Sequence, residues 1–254
     1  MAHHRATRAE INLKAFKHNL QNLKTALGSK TDIMAVIKAD AYGHGALPCA
    51  KAAIESGVGY LGAGVIEEGI ELRKNGIKGP ILILGGIFLD EVTDLVHHNL
   101  STILHTSHLA EALSKEGKKQ GKTVNIHIKV DTGMNRLGVL PENLLALTEK
   151  ISSLPNLKIE ALSTHFSSAD DEDLTITNQQ IELFKKALNE LKKTGIIPPL
   201  THLANTSALF RFTESHSKMV RPGLILYGAL PSPILNPVVQ NFCATESLEN
   251  FEPV

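Results

Sequence analysis

Lys38 closes an apolar run, Ile33-Met34-Ala35-Val36-Ile37, and is followed by Ala39-Asp40-Ala41-Tyr42-Gly43-His44-Gly45, a small, polar, glycine-punctuated loop. A buried strand that ends this way displays one amine, and apolar surroundings favour its neutral, nucleophilic form. Such an amine forms a Schiff base with the carbonyl of a substrate or of an aldehyde cofactor. The plainer alternative is a lysine snorkelling from a strand end with no chemistry. Four more polar groupings follow: Lys129-Val130-Asp131-Thr132-Gly133-Met134-Asn135-Arg136-Leu137-Gly138, Thr164-His165-Phe166-Ser167, Ala204-Asn205-Thr206-Ser207 and Arg221-Pro222-Gly223-Leu224. Each has a bland reading. His165 alone reads as a satisfied, partly buried histidine, Asn205-Thr206-Ser207 as the cap of the next helix, Arg221 as a structural ion-pair partner, and Lys129 with Asp131 as a surface pair. Together they suit an anionic cofactor that bears a carbonyl. Hydroxyls and helix N-terminal amides hold a phosphate, and Lys38 holds an aldehyde.

The elements that must position these groups are short apolar runs alternating with amphipathic segments. Strands are expected at Ile33–Lys38, Tyr60–Val65, Ile81–Leu84, Ser101–His105, Val124–Val130, Ile159–Thr164, Leu200–Ala204 and Met219–Leu226. They lack polar alternation, as strands covered on both faces do. Helical spacing is expected over Leu13–Leu27, Ala46–Ser56, Ile66–Asn75, Leu89–His97, His108–Gln120, Pro141–Ser152 and Asn178–Thr194, several of them stopping at glycine or asparagine. About eight strand–helix units predict an α/β fold of the (β/α)8 TIM-barrel type over a doubly wound sheet. In such a barrel the polar groupings all fall at one mouth, at the C-terminal ends of strands. After Tyr227, Pro231, Pro233 and Pro237 interrupt the pattern. The expected organisation is therefore a barrel domain over 1–235 and an irregular tail over 236–254.

With 254 residues and 43% hydrophobic content, the chain can bury one large barrel core. Lys+Arg and Asp+Glu number 26 each, so the net charge is zero. That removes a bulk electrostatic footprint for nucleic acid or an anionic membrane, and any anion must be held by a local pocket. No run approaches a membrane span, and Met1-Ala2-His3-His4-Arg5 lacks the apolar core of a signal peptide. The two cysteines, Cys49 and Cys243, make neither a metal-ligand spacing nor a disulfide framework. A cytoplasmic protein without a bound metal is the expectation. His3-His4 is too short to argue a tag.

Ala35-Val36-Ile37-Lys38-Ala39-Asp40-Ala41-Tyr42-Gly43-His44-Gly45 closely resembles the lysine signature of alanine racemases, which use pyridoxal 5'-phosphate. The resemblance runs in order through Ala9-Glu10-Ile11-Asn12-Leu13, His18-Asn19-Leu20, the Lys129–Gly138 segment, Thr164-His165-Phe166, His202-Leu203-Ala204-Asn205 and Val220-Arg221-Pro222-Gly223 to Tyr227-Gly228. It covers about positions 7 to 237. It implies that Lys38 holds pyridoxal phosphate and serves as base or acid on one face of the substrate α-carbon. It places Tyr42, Asn205, Thr206, Gly223 and Leu224 on the cofactor, mostly at its phosphate, with Leu84 as a pocket contact and His165 near the pyridine ring. Arg221 would face the pyridine nitrogen, Arg136 would bind the substrate carboxylate, and Lys129, carbamylated in some members, would orient Arg136. The implied substrate is alanine, interconverted between its L- and D-forms to supply cell-wall synthesis, and the implied assembly is a homodimer.

Two positions depart from the family pattern. Thr206 stands where serine is usual, which keeps the hydroxyl. The family also carries a C-terminal β-domain that supplies a second catalytic tyrosine across the dimer, whereas the three tyrosines here are Tyr42, Tyr60 and Tyr227. A racemase removes a proton on one face and returns one on the other. The expectation is therefore a truncated form that binds pyridoxal phosphate and racemises alanine poorly or not at all. The alternative is a non-catalytic, single-domain protein that buffers the cofactor. Arg136 and Lys129 have no evident use in such a carrier. A Schiff-base aldolase on the same barrel leaves Arg221 unexplained.

Overall fold

The computed structural model describes residues 7–254; residues 1–6, including His3-His4, lie outside it. Eight parallel strands close a barrel in chain order: β1 (Asp32–Val36), β2 (Tyr60–Ala63), β3 (Ile81–Ile83), β4 (Ser101–Leu104), β5 (Val124–Lys129), β6 (Leu157–Ser163), β7 (Leu200–His202) and β8 (Met219–Val220). Met34 lies opposite Tyr60 at one seam, and Asp32 opposite Met219 at the seam that closes the ring. With helices between the strands, this is the expected (β/α)8 barrel.

Alternate residues of β1 serve two different cores, which is why that run shows no polar alternation, whereas β5 (Val124-Asn125-Ile126-His127-Ile128-Lys129) does alternate, against the expectation. Ile33, Ala35 and Ile37 belong to the large cluster under the helices, whereas Met34 packs with Leu82, Ile103 and Met219 inside the barrel. Helix α1 (Leu13–Leu27) buries Phe16, Leu20 and Leu23 at helical spacing and is capped by Asn12, whose side chain accepts from the amides of Lys14 and Ala15. Between β1 and β4 follow α2 (Lys38–Gly43), α3 (Ala46–Glu55), α4 (Ile66–Lys74) and α5 (Val92–His97). Then come α6 (Ser107–Gln120), α7 (Leu144–Ser152), α8 (Thr175–Lys193), α9 (Thr206–Arg211) and α10 (Leu235–Thr245). No helix among the described residues is long and apolar enough to cross a membrane.

Two expectations from the sequence need correction. The apolar run Met219–Leu226 is not one strand: β8 stops at Val220, and Leu224–Tyr227 forms a 3-10 turn. Pro222 has no N–H to give a ladder, so the strand cannot pass through it. The segment 236–254 is not irregular throughout, because α10 occupies Leu235–Thr245. Pro237 falls in its first turn, where a missing N–H costs nothing. Leu235, Val239 and Cys243 form its buried stripe, and Phe242 meets Phe210 of α9 edge-on at 5.1 Å. The residues after α10 strap back onto α1, where Asn19 donates to the Glu252 carbonyl (2.7 Å) and accepts from its amide (2.8 Å).

Candidate active site

Lys38 leaves β1 and enters a left-handed helical turn. Ala39 (φ 50°, ψ 54°), Asp40 (52°, 48°), Ala41 (54°, 47°) and Tyr42 (54°, 34°) are all in the left-handed region, and none is glycine. That conformation costs roughly 1–2 kcal/mol per residue and persists only where surrounding contacts enforce it. The contacts are specific. Glu68, in the first turn of α4, accepts from the amides of Ala39 (2.7 Å) and Gly64 (2.6 Å). Asp40 accepts from the amide of Ala46 at 2.6 Å. His44 stacks on Tyr227 at 4.7 Å, and Tyr227 donates to the Val36 carbonyl at 3.1 Å. The turn therefore sets Lys38 and Tyr42 on one cavity, with Lys38 Nζ 5.8 Å from the Tyr42 ring centre. Lys38 itself is exposed, contrary to the expectation that burial alone would favour its neutral form: only the run that precedes it is buried.

The opposite wall comes from β7 and β8. Asn205 caps α9 by accepting from the Ala208 amide at 3.0 Å, which presents Thr206 and Ser207 at the start of that helix. Thr206 Oγ1 accepts from the Gly223 amide at 3.1 Å. A β-carbon at Gly223 would lie 2.8 Å from the Tyr42 hydroxyl oxygen, so only glycine lets that hydroxyl approach the backbone. Tyr42, Thr206, Gly223 and Leu224 thus form one side of a cavity of about 450 Å³.

Cations gather on the other side. Arg136 rides on a loop anchored to the end of β5: Asp131 donates its amide to the Val139 carbonyl (2.8 Å), and its side chain accepts from the amides of Gly133 (2.9 Å) and Asn135 (3.1 Å). Gly138 closes this loop at φ 137°, and a β-carbon there would sit 2.7 Å from the Asp131 nitrogen. Gly138→Ala is therefore expected to cost about 2–3 kcal/mol in chemical denaturation. Lys129 is only 6% exposed, and burial, with Arg221 and Arg136 nearby, pushes its pKa down to about 8. His165 is held well below the ordinary histidine range by burial and by the charges of Arg221, Lys129, Arg136 and Lys38. It is therefore neutral at neutral pH.

Arg221 is buried and fully committed through its two terminal nitrogens. Nη1 donates to His202 Nδ1 (2.6 Å) and the His202 carbonyl (2.7 Å). Nη2 donates to the carbonyls of Thr164 and Leu203 (2.9 Å each) and to His165 Nδ1 (3.2 Å). Burial lowers its pKa to about 10, which leaves it charged at neutral pH.

The family model described as alanine racemase, N-terminal domain, matches residues 11–231. The chain belongs to the alanine racemase family. It is 40% identical over 229 residues to the alanine racemase of Methanococcus maripaludis, an alignment covering 90% of this chain and 61% of that protein. It is 41% identical over 228 residues to that of Halothermothrix orenii, covering 90% and 60%. The alanine racemase of Clostridium difficile 630 in complex with cycloserine matches the fold with a TM-score of 0.92 at 32% identity, over 100% of this chain and 67% of that one. The Bacillus anthracis alanine racemase with bound L-Ala-P gives 0.89 at 29% identity, over 100% and 64%. The chain spans about three fifths of the length of the curated relatives it matches.

In this barrel, Lys38, Tyr42, Leu84, Lys129, Arg136, His165, Asn205, Thr206, Arg221, Gly223 and Leu224 all line the same cavity. Sequence reasoning missed Asp170, which also lines it, and Glu68, which anchors the left-handed turn. An acidic residue in the first turn of the next helix was the available signal for Glu68. It also gave His202 no role, and did not single out His127 or Glu160. No local motif marks His127 and Glu160, because they meet each other and His202 only across the barrel interior.

Proposed function

We propose that residues 1–235 form a barrel domain that binds pyridoxal 5'-phosphate and acts on alanine, as the family's lysine half-site, in the interconversion of L- and D-alanine for the cell wall. The observation that carries the reading is the convergence of Lys38, the Tyr42–Thr206–Gly223 cradle and Arg221 on one cavity. The donor set fits this cofactor. The Tyr42 and Thr206 hydroxyls and the Gly223-Leu224 backbone would hold the phosphate, Leu84 and His165 would flank the ring, and Lys38 would hold the aldehyde carbon. Arg221 lines the cavity with its Nη donors already used, which leaves Nε for the pyridine nitrogen. When bound, the cofactor supplies an electron sink for charge developing at the substrate α-carbon.

The chain's own residues then divide the work. Arg136 binds the substrate carboxylate in the bidentate manner that suits arginine. Lys38 removes the α-proton on its face and returns it there. Arg221 donates a hydrogen bond and has no acceptor capacity. With the cofactor bound, it would therefore leave the ring nitrogen unprotonated, which would limit charge spreading into the ring and favour return of the proton to the α-carbon over transamination. Lys129, with a pKa near 8, holds enough neutral amine for its nitrogen to attack carbon dioxide and lose a proton to solvent. The resulting carbamate would change the Lys129–Arg136 relation from repulsion to attraction.

Of the three tyrosines, Tyr42 is committed to the Gly223 side, and Tyr60 and Tyr227 lie off the cavity lining. Lys38 therefore serves one face. In deuterated water, with pyridoxal phosphate, the chain as given is expected to label L-alanine at the α-carbon faster than it forms D-alanine, followed by proton NMR and chiral chromatography. Cofactor binding without label would favour the carrier reading. D-alanine formed as fast as label would sink the one-face assignment.

A further inference from the structure

The interior of the barrel holds a chain of polar groups that leads away from the cavity. His202 Nε2 lies 2.8 Å from His127 Nδ1, and His127 Nε2 lies 3.2 Å from Glu160 Oε2. Both histidines are buried, and Glu160, the middle residue of β6, lies against Tyr60 at the start of β2. We propose that Glu160 is a positioning residue: through His127 and His202 it fixes the hydrogen-bond polarity that Arg221 meets beneath the cofactor ring. The proposal rests on the pyridoxal phosphate reading only for its effect on the cofactor, since the relay itself is a property of the free chain.

The polarity follows from donor and acceptor counting. A guanidinium only donates and an ionised carboxylate only accepts, while a neutral imidazole does one of each. Arg221 donates to His202 Nδ1, so the His202 proton sits on Nε2 and is given to His127 Nδ1. His127 then carries its proton on Nε2 and gives it to Glu160. One assignment satisfies all three junctions. With a donor at the far end, two neutral imidazoles cannot satisfy them, and one junction would set donor against donor. Such an unpaired contact in a buried site is costly.

Charge states agree with that assignment. Burial holds His127 and His202 below the ordinary histidine range, so both are neutral. Burial alone would raise Glu160, but the hydrogen bond from His127, the contact with Tyr60 and the nearby charge of Lys158 offset this and hold it below the usual carboxylate range. The sheet also bends to place this carboxylate. Ile126 pairs with Ile159 but His127 pairs with Ala161, so Glu160 is an extra residue on β6. Ile159 and Leu162 both pack toward the helical layer, three positions apart, which strict alternation forbids. A bulge of this kind re-aims a side chain, here turning Glu160 inward beside His127.

The test uses histidine-labelled protein without cofactor and two variants. Two-bond proton–nitrogen correlation spectra of the wild type should show His127 and His202 both protonated on Nε2. Glu160→Gln keeps an acceptor and should preserve both tautomers. Glu160→Lys replaces it with a donor and should give His202 a population protonated on Nδ1, weaken pyridoxal phosphate binding about tenfold, the order of one net hydrogen bond, and shift the absorbance maximum of the Lys38-bound cofactor. Wild-type protein with either histidine protonated on Nδ1 overturns the relay, as does Glu160→Lys with tautomers unchanged. The tautomer result stands whether or not the chain takes pyridoxal phosphate, so failure of the relay is distinguishable from failure of the cofactor assignment.

Discussion

Lys38→Ala is expected to abolish covalent retention of pyridoxal phosphate and to lower α-proton exchange on alanine by about a thousandfold or more, since one residue loses both its covalent and its acid–base role. The same change should leave the cofactor-free fold within about 0.5 kcal/mol of wild type. Lys38 is exposed, and the part of it that meets the neighbouring strand is its β-carbon, 3.2 Å from where a β-carbon at Gly64 would lie. Alanine keeps that atom. The contrast is measurable in one instrument: a saturating cofactor raises the melting temperature of a protein that binds it in proportion to RT ln(1 + [L]/Kd). Wild type should show that rise together with an absorbance band that resists dialysis, and the variant should lose the band. A variant that keeps a dialysis-resistant band would place the covalent amine elsewhere, and Lys129 would be the next candidate in the cavity.

Much of the barrel was legible because strands such as β1 are apolar on both faces and the longer helices show a stripe, as at Phe16, Leu20 and Leu23. The cavity was legible for a related reason: its groups lie at strand ends, where a barrel gathers them whatever their distance in sequence. What the sequence hid is contact across the ring. His127 and Glu160 read as ordinary strand residues, and only a one-residue irregularity in the β5–β6 register brings them together. The left-handed turn was also hidden, because Ala39-Asp40-Ala41-Tyr42 has ordinary right-handed or extended preferences and is forced over by Glu68 and its neighbours. The helix that begins at Leu235 is hidden because proline most often breaks a helix, whereas Pro237 sits in a first turn, where it does not.

Arg221→Met is expected to be the most destabilising of these substitutions, by about 3–5 kcal/mol in the cofactor-free protein. The thioether fills part of the space, but the carbonyls of Thr164 and Leu203 and the Nδ1 atoms of His165 and His202 lose their Arg221 donor at once, and the His202 carbonyl keeps only the Thr164 amide at 3.4 Å. Each buried acceptor left unpaired costs of the order of 1 kcal/mol or more. For a chain of this size the melting temperature should fall by roughly 10 °C or more. The pH dependence has a definite sign. Arg221, with its pKa lowered to about 10, stays charged across the neutral range, so the deficit should be flat there. Toward acid it should shrink. His202 and His165 are kept neutral by burial first and by the Arg221 charge second, so without that charge their folded-state pKa values rise. A histidine whose folded pKa lies below its unfolded value loses stability as pH falls, and one depressed less loses less, so the variant's deficit against wild type narrows below about pH 6. Arg221→Lys keeps the charge but not the planar fork that reaches both His202 and the Thr164 carbonyl, so it should fall between the two. Thermal melts of all three proteins at several pH values check this. A deficit that grows toward acid would mean that Arg221 does not set the charge state of the histidines beneath the cavity.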